Sequence, residues 1–285
     1  MSTLFSVIIP IYRDWGRLAL CLAALERQTL PLDRFEILIA NNEPDGKFPL
    51  AHIPSNARIV HQPRPGSYAA RNAAVAAAQG EYLAFTDSDC IPDPKWMANG
   101  LAALRANPGA RVTGPIAIFR EAGSSYYAFL YDLHTAFPQS TYVSHGQCPT
   151  ANLLVEKRIW EKVGPFDECF SGGDTLWSQR AQKIGVPLMF DEKVAVGHPA
   201  RRSVADILKK GRRVAGSMAK DRRAPPYRFF FGRLKPPRPS KLPFDRNRLG
   251  LRDWLALFLI FWTKGAVEAV EFGSVYVGLK LPNRM

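Results

Sequence analysis

The chain has few cysteines, no N-terminal signal pattern and no uninterrupted apolar run as long as a lipid bilayer is thick. The four cysteines show no metal-like spacing, and they are Cys21, Cys90, Cys148 and Cys169. We therefore expect reduced, structural thiols. The residues before the first apolar run lack a basic segment, and the run itself contains Pro10, so it predicts a strand and not a signal peptide. We expect a cytoplasmic protein.

The composition predicts one large ordered domain followed by a basic extension. The chain has 285 residues, 47% of them apolar, and a formal charge of +13, and this length is enough for a full α/β core. Residues 201–252 contain 17 Lys and Arg against three Asp, a net charge of +14, whereas the rest of the chain carries −1. We therefore predict a neutral α/β domain at residues 1–200 and a separate basic, helical extension at residues 201–285.

The N-terminal half has the pattern of a parallel α/β sheet. Strands rich in β-branched residues are predicted at Phe5–Ile11 and Phe35–Ala40, with a helix from about Trp15 to Gln28 between them. A strand, helix, strand unit requires a right-handed crossover and a largely parallel sheet. Further strands are predicted at Ala57–His61 and Tyr82–Thr86.

An alanine-rich helix is predicted between these last two strands, at Ser67–Gln79. Ser67 is its expected N-cap and Gly80 its expected C-cap. In open α/β sheets, ligands bind beyond the carboxyl ends of the strands, and residues 10–14, 41–45 and 87–89 all fall there. This arrangement predicts a nucleotide site.

Two carboxylates, one residue apart, follow the predicted strand Tyr82–Thr86. Because side chains alternate along a strand, Asp87 and Asp89 would point the same way if the strand continued. Carboxylates together with substrate phosphates are a common way of holding Mg²⁺ or Mn²⁺. The alternative is a loop with two solvated acids.

Six sequence fragments, in order, resemble those of family 2 glycosyltransferases of the GT-A type. Their positions are Phe5–Arg13, Gly66–Ala74, Gly80–Asp89, Thr150–Val155, Val163–Glu168 and Gly172–Asp174. The resemblance covers residues 5–198, and the ordered set is far more specific than any one fragment. It implies an inverting enzyme that uses nucleotide-activated sugars, on a GT-A-type, Rossmann-like sandwich with a mostly parallel central sheet.

The resemblance implies a donor site at the strand ends. The loop that starts at Pro10 brings Tyr12 to a place where its ring could stack on a nucleobase, and the alternative is a half-buried loop tyrosine. Arg71 would clamp a diphosphate or hold the site carboxylates. Asp87 would contact the ribose side of the nucleotide or a metal-bound water.

The resemblance also implies a metal ion, Mn²⁺ or Mg²⁺, beside the donor diphosphate. Asp89 is the expected ligand. His198, which follows a strand predicted at Lys193–Gly197, is a second candidate because neutral imidazole is a competent ligand. The alternative is a structural histidine at a strand end.

Asp174 is the candidate general base. An inverting transfer needs a carboxylate near the acceptor hydroxyl. A helix predicted at Thr175–Ile184 puts Asp174 near its N-terminus, where an anion is stabilised. The alternative is that Asp174 is only the helix N-cap.

Two places depart from the family pattern. After the second strand the family usually has paired acids, one of which contacts the base of a uridine-type donor, but Asn41 and Asn42 stand here before Glu43. Asn42 could still bond a base edge, without a charge, and the base of the donor stays open. At Gly173 the family usually has Glu, so one acid of the acceptor site is missing.

The extension has the pattern of membrane-associating helices. Apolar and basic residues follow helical spacing from Val204, which predicts a basic amphipathic helix. The stretch Trp254–Trp262 is apolar all round but too short to span a bilayer, and its continuation carries Lys264, Glu268 and Glu271. We expect shallow insertion into an anionic leaflet. The alternative is that the helices pack on the domain. We expect no nucleic-acid partner, since the apolar stretch would have no role in one.

The sequence therefore predicts a metal-dependent inverting glycosyltransferase. It would move a sugar from a nucleoside diphosphate to a hydroxyl acceptor, lipid-linked acceptors included, in polysaccharide or glycolipid assembly on the inner face of the cell membrane. The alternative is a non-catalytic nucleotide- or lipid-binding membrane scaffold of the same fold. A nucleotidyltransferase, which would release pyrophosphate, is a third option that the segment around Asp174 disfavours.

Overall fold

The computed structural model describes residues 3–222, 224–244 and 246–282, without the side chains of residues 139, 140 and 247. The chain forms two compact units. Unit 1 comprises Met1–Ala117 and Gln139–His198, and unit 2 comprises Ile118–Pro138 and Pro199–Met285. From Pro199 onward the chain belongs to unit 2, so this boundary lies close to the domain limit expected at residue 200. The earlier segment 118–138 also belongs to unit 2.

The strands alternate with helices through most of unit 1. In chain order the strands are β1 (Phe5–Ile11), β2 (Phe35–Asn41), β3 (Ala57–His61), β4 (Tyr82–Phe85), β5 (Ile91–Pro92), β6 (Arg111–Thr113), β7 (Ile116–Phe119), β8 (Leu153–Glu156), β9 (Leu188–Phe190) and β10 (Val196–Pro199). The helices are α1 (Trp15–Glu26), α2 (Ser67–Ala76), α3 (Trp96–Ala106), α4 (Tyr126–Thr135), α5 (Gln139–Ser144), α6 (Lys157–Val163), α7 (Gly173–Lys183), α8 (Val204–Lys220), α9 (Pro226–Leu234) and α10 (Leu251–Tyr276).

The central sheet of unit 1 has seven strands in the order β3-β2-β1-β4-β8-β6-β9. Four neighbouring pairs are parallel, namely β1 with β2, β1 with β4, β2 with β3 and β6 with β9. β8 runs antiparallel to β4 and β6. All seven residues of β1 are buried, as expected for a central strand covered on both faces. The sheet confirms the expected α/β fold with a mostly parallel centre.

The ends of α2 differ from the sequence expectation. The helix begins after Gly66, whose φ is 133°, and Ser67 is its first residue and not its N-cap. It ends at Ala76, so Gly80 is not its C-cap. Gly80 instead lies against β1, where its N–H donates to Ser6 Oγ at 2.8 Å. A Cβ at Gly80 would be 2.5 Å from the Ser6 nitrogen, so close strand packing, and not a helix end, requires the glycine here.

The last strand of unit 1 lies later than the expected Lys193–Gly197. A turn occupies the start of that segment, because Val194 N–H donates to the Asp191 carbonyl oxygen at 3.1 Å and Lys193 N–H to Asp191 Oδ1 at 2.9 Å. The strand, β10, therefore begins at Val196 and includes His198.

Unit 2 is helical and has a core of its own. α8 begins with a capping box in which Asp206 N–H donates to Ser203 Oγ at 3.2 Å and Ser203 N–H donates to Asp206 Oδ2 at 3.0 Å. Side chains of α4, α8 and α10 form one apolar cluster. A second cluster joins α8 to α10, where Phe272 also stacks on Phe229 of α9 with ring centroids 4.2 Å apart.

The longest helix of unit 2, α10, buries charged residues and exposes apolar ones, the reverse of an ordinary surface helix. Its Glu268 and Glu271 are buried, 4% and 2% exposed, and pair with Arg233 and Lys264 and with Lys280, respectively. Its exposed residues are mostly large and apolar, namely Leu251, Leu255, Leu259, Trp262 and Val270. The charged residues of the buried face are therefore paired inside unit 2. No helix in the described ranges combines the length and apolarity needed to cross a bilayer.

Candidate active site

The candidate site is built where three parallel strands end. β1 is flanked by β2 and β4 and runs parallel to both, so the residues after Ile11, Asn41 and Phe85 emerge at one edge of the sheet. The sequence prediction that these three loops lie together is confirmed. Strand β4 ends at Phe85, so Asp87 and Asp89 lie in a loop and not on a continued strand.

A cluster of possible metal ligands is formed by this loop and β10. Asp87, Asp89, Cys90 and His198 each offer one ligand atom, and these atoms lie within 4.8 Å of one another. His198 reaches the loop because β10 pairs antiparallel with β5, with Gly197 opposite Ile91. Its Nε2 is 3.7 Å from Asp89 Oδ1. The structure thus brings both sequence-predicted metal ligands, Asp89 and His198, to one point.

The chemistry of the cluster fits a divalent cation. Burial raises the pKa of Asp89, against the opposing charge of His198 and together with the like charge of Asp87, and a nearby cation would offset that cost. Two carboxylates and an imidazole are ligands that Mn²⁺ accepts, and the carboxylates also suit Mg²⁺. Burial also raises the pKa of the Cys90 thiol.

Arg71 holds the other carboxylate of the loop. Arg71 is 4% exposed, and its guanidinium forms an ion pair with Asp87. The guanidinium carbon also lies 5.3 Å from the centroid of the Tyr68 ring, one helical turn earlier on α2. Two roles were expected for Arg71, and this structure contains one of them, the contact with a site carboxylate.

The next residue of α2, Asn72, ties the helix to the segment that precedes Asp174. Its Nδ2 donates to the Phe166 carbonyl oxygen at 2.9 Å, and its Oδ1 accepts from Phe166 N–H at 3.0 Å. A reciprocal amide pair of this kind fixes both distance and orientation. α2 therefore positions both the strand-end loop and the segment that leads to α7.

Asp174 lies in the first turn of α7, after Gly172, which adopts a left-handed conformation with φ of 81°. It is not the N-cap, because Gly172 takes that position. Its Oδ1 accepts from Thr175 N–H and from the Tyr68 hydroxyl, both at 2.9 Å. The carboxylate therefore lies at a helix N-terminus and accepts two hydrogen bonds there.

Gly173 has a packing reason that the sequence did not reveal. A Cβ at this position would lie 2.8 Å and 2.9 Å from two carbons of the Tyr68 ring and 2.8 Å from the Asp167 carbonyl oxygen. The ring therefore occupies the space into which a side chain at Gly173 would project. Tyr68 itself was missed, although its position three residues before Arg71 places both side chains on one face of α2.

Tyr12 emerges directly after β1, half-buried, and Arg13 lies over its ring at 4.9 Å from the centroid. Arg13 has a positive φ of 59° and donates to Glu43 from Nε at 2.9 Å and from Nη2 at 2.8 Å. The arginine holds the pKa of Glu43 below its ordinary value, mainly through the side-chain hydrogen bond. Sequence reasoning did not single out this ion pair, whose arginine covers one face of the Tyr12 ring.

The two asparagines after β2 hold backbone. Asn42 is 3% exposed, and its Nδ2 donates to the carbonyl oxygens of Gln62 and Arg64 at 2.6 Å and 2.7 Å. Its Oδ1 accepts from Gly66 N–H at 2.8 Å. Asn41 similarly bonds the turn that follows it. Both amide hydrogens of Asn42 are therefore engaged by the loop that leads into α2.

Comparison with known proteins agrees with this architecture. Residues 6–161 match the family described as Glycosyl transferase family 2. Glycosyltransferase AglE of Haloferax volcanii is 34% identical over 217 residues, which cover 73% of this chain and 71% of that protein. Pre-mycofactocin glycosyltransferase of Mycobacterium tuberculosis is 27% identical over 175 residues, or 56% of this chain and 36% of that protein.

Solved structures share this fold, among them those of TarS and GalNAc-T7. The crystal structure of S. aureus TarS in complex with UDP-GlcNAc has a TM-score of 0.52 at 17% identity and covers 76% of this chain and 66% of the TarS fragment. The structure of GalNAc-T7 with UDP, GalNAc and Mn²⁺ has a TM-score of 0.54 at 16% identity and covers 70% and 44% of the two chains. The matched region thus spans just under two thirds or less of these solved chains. From the family match and the AglE relationship, we conclude that this chain is a glycosyltransferase and belongs to glycosyl transferase family 2.

Proposed function

We propose that the chain is a metal-dependent, inverting glycosyltransferase that takes its sugar from a nucleoside diphosphate. One observation carries the proposal. The cluster of Asp87, Asp89 and His198 and the carboxylate of Asp174 are joined through a continuous set of contacts that runs by way of Arg71 and Tyr68. A binding site for a charged leaving group and a base for the acceptor are thereby held in one framework.

The donor half would be held by the strand-end loops. Asp89 and His198, with Asp87, would hold Mn²⁺ or Mg²⁺, which when bound neutralises charge on the departing diphosphate. Arg71 supplies a buried guanidinium at the same place. The half-buried ring of Tyr12, in the loop that starts at Pro10, would stack on the base. Asn42 would support this half through the loop it holds.

The acceptor half would centre on Asp174. As the acceptor oxygen bonds to the anomeric carbon, its proton passes to the Asp174 carboxylate, and the bond from that carbon to the diphosphate oxygen breaks on the opposite face. Attack from the face opposite the leaving group inverts the anomeric configuration. The products are the glycosylated acceptor and a nucleoside diphosphate.

We also propose that the enzyme works on polysaccharide or glycolipid acceptors, lipid-linked ones included, at the inner face of the cell membrane. The support is in unit 2. The outward face of α10 carries Leu251, Leu255, Leu259 and Trp262, which are 61%, 47%, 55% and 37% exposed. Large side chains of this kind along one helix are unusual in contact with water.

A second helix continues this apolar face. On α9, Tyr227, Phe231 and Leu234 are 66%, 61% and 36% exposed. Trp262 Nε1 donates to the Leu234 carbonyl oxygen at 2.9 Å, so the two exposed faces meet there. Exposed Arg228, Lys235 and Arg252 lie on or beside the same helices. An apolar face beside exposed cations suits shallow docking on an anionic bilayer.

The alternative function is a non-catalytic scaffold that binds nucleotide or lipid. Gly173, which stands in place of an acid, is the observation that favours it. The two functions predict different behaviour of Asp174→Asn, which abolishes turnover of an enzyme while leaving donor binding intact and changes nothing in a scaffold.

The first experiment measures release of nucleoside diphosphate from UDP-, GDP- and dTDP-sugars, with Mn²⁺ or Mg²⁺ and a membrane extract as the source of acceptor. Wild type should release one nucleotide in a metal-dependent way. Asp89→Ala and Asp174→Asn should each lose at least about 100-fold in rate, whereas Asp33→Asn, at an exposed acid, should not. Release that persists in Asp174→Asn would refute the assignment of the base.

Membrane docking is tested by co-sedimentation with vesicles. We expect binding to vesicles that contain anionic phospholipid, and weaker binding to neutral ones and at high salt. Leu255→Ser with Leu259→Ser should reduce binding, and Leu20→Ser, at an exposed leucine of α1 in unit 1, is the matched control. Equal sedimentation of all variants would exclude docking through α10.

A further inference from the structure

A buried tyrosine contacts the proposed base and faces a glycine where an acid is usual in the family. Tyr68 is 7% exposed, and its hydroxyl donates to Asp174 Oδ1 at 2.9 Å. Burial, followed by the negative charge of Asp174, raises the pKa of Tyr68 well above its ordinary value. The hydroxyl is therefore protonated at neutral pH and acts as a donor to the carboxylate.

The ring is fixed from two further sides. Arg71 lies against it at 5.3 Å from the centroid, and Phe166 is in ring contact at 5.8 Å. The third neighbour is the Gly173 backbone, where a Cβ would be 2.8 Å from a ring carbon. A tyrosine in this rotamer and a side chain at Gly173 are therefore mutually exclusive without a shift of the ring.

We propose that Tyr68 is the positioning residue for Asp174, and that Gly173 is present because the tyrosine takes the space of the usual acid. The inference rests on the proposed role of Asp174 as the base. Thr175 N–H fixes one oxygen of the carboxylate from within the helix. The Tyr68 hydroxyl fixes the same oxygen from α2, so the second oxygen points in a defined direction. At this position the usual acid is thus replaced by a glycine that leaves room for Tyr68, and the glycine is not a sign of lost activity.

The same contacts couple the two halves of the site. Arg71 pairs with Asp87 in the strand-end loop and lies on the ring whose hydroxyl meets Asp174. These contacts come from three positions of α2, since Asn72 also holds Phe166. One helix therefore sets the distance between the leaving-group side and the base.

The test is Tyr68→Phe, which keeps the ring and removes the hydroxyl. A hydrogen bond to a charged group that is lost from the reacting geometry should lower kcat about 10- to 100-fold. The KM for the donor and the Kd for nucleoside diphosphate should change less than about threefold, because the donor half is untouched. Tyr82→Phe, a buried tyrosine of β4 that contacts Phe5, is the matched control and should keep wild-type kcat.

A double-mutant cycle separates positioning from general packing. In the Asp174→Asn background, the further change Tyr68→Phe should alter the residual rate by no more than about twofold, because the positioned group is already gone. An unchanged kcat in Tyr68→Phe would overturn the proposal. So would an equal loss in both backgrounds, or a loss of kcat that is accompanied by weaker nucleotide binding and a lower Tm.

A crystal structure of Tyr68→Phe gives a readout that needs no turnover. The Asp174 carboxylate should leave its wild-type position or occupy two positions, and a carboxylate held in place by Thr175 N–H alone would refute the positioning role. If wild type turns over no donor, the proposed function fails, but the comparison of the two crystal structures still decides the role of Tyr68.

Gly173→Ala should displace the Tyr68 ring and lower kcat as Tyr68→Phe does. Gly16→Ala is the control and should keep wild-type kcat, because a Cβ at Gly16 would meet nothing within 4 Å.

Discussion

Replacing Asn42 by the acid that is usual in the family should destabilise this protein, although the two side chains have nearly the same shape. In Asn42→Asp the two hydrogen bonds donated to the Gln62 and Arg64 carbonyl oxygens are lost. A carboxylate oxygen then faces each of these carbonyl oxygens. The bond accepted from Gly66 N–H can remain.

The magnitude follows from the contacts. Each carbonyl oxygen left without its donor costs about 1 kcal/mol, and the buried carboxylate adds a similar amount, so we expect a loss of about 3 kcal/mol at neutral pH. For a chain of this size the loss corresponds to a fall in Tm of about 6–12 °C. Burial among acceptors should raise the pKa of the introduced carboxyl above the ordinary value of about 3.9. The penalty is therefore full at neutral pH and shrinks as the pH falls and the carboxyl becomes protonated.

The assay is urea unfolding of wild type and Asn42→Asp between about pH 5 and pH 8, reported as the difference between the two proteins at each pH. Asn99→Asp is the control, because that amide donates one bond, to the Lys193 carbonyl oxygen at 2.7 Å. It should cost about 1 kcal/mol or less. An Asn42→Asp protein as stable as wild type at pH 7, with tighter binding of uridine nucleotides, would refute the reasoning and show that the amide merely replaces a base-reading acid.

Three further predictions concern packing. Gly80→Ala should lower the free energy of unfolding by at least about 2 kcal/mol, since its Cβ would be 2.5 Å from the Ser6 nitrogen; a loss below about 0.5 kcal/mol in urea unfolding would contradict this. Burial raises the pKa of Cys148 to about 12. At pH 8, Ellman's reagent should therefore react with half-buried Cys169 and leave Cys148 unmodified until the protein unfolds. Equal reaction rates of the two thiols would show that the protein opens around Cys148. Glu268→Gln should destabilise unit 2 by about 2 kcal/mol, because the buried carboxylate loses its charge and both of its ion pairs, to Arg233 and Lys264, weaken. A Glu268→Gln variant with the same Tm as wild type would show that these ion pairs contribute nothing to stability.

The sequence predicted the strand-end site because its signals are local. Mostly apolar runs mark β1, β2 and β4, and parallel pairing then brings the residues that follow them to one edge. Asp87 was found in this way, from the strand that ends before it, whereas Tyr12 was singled out through the family resemblance. Their roles toward a donor stay predictions, as do those of Arg71, Asp89, Asp174 and His198.

Contacts between distant parts of the chain could not be predicted in the same way. Tyr68 and Asp174 are 106 residues apart, and no spacing rule connects them. The fit between Gly173 and the tyrosine ring depends on side-chain packing, which a sequence pattern does not contain. Sequence reasoning was also wrong about Ser67 and Gly80, because it assigned to helix capping a glycine that is needed for contact with a strand.

The reversed orientation of α10 has a consequence for handling the purified protein. A helix that turns its paired glutamates inward leaves leucine and tryptophan side chains without a cover in plain buffer. We expect these side chains on separate molecules to associate as the protein concentration rises. Particle size should therefore grow with protein concentration and with added salt. Oligomers formed in this way would be substitutes for a lipid surface, and they should dissociate when anionic vesicles are supplied.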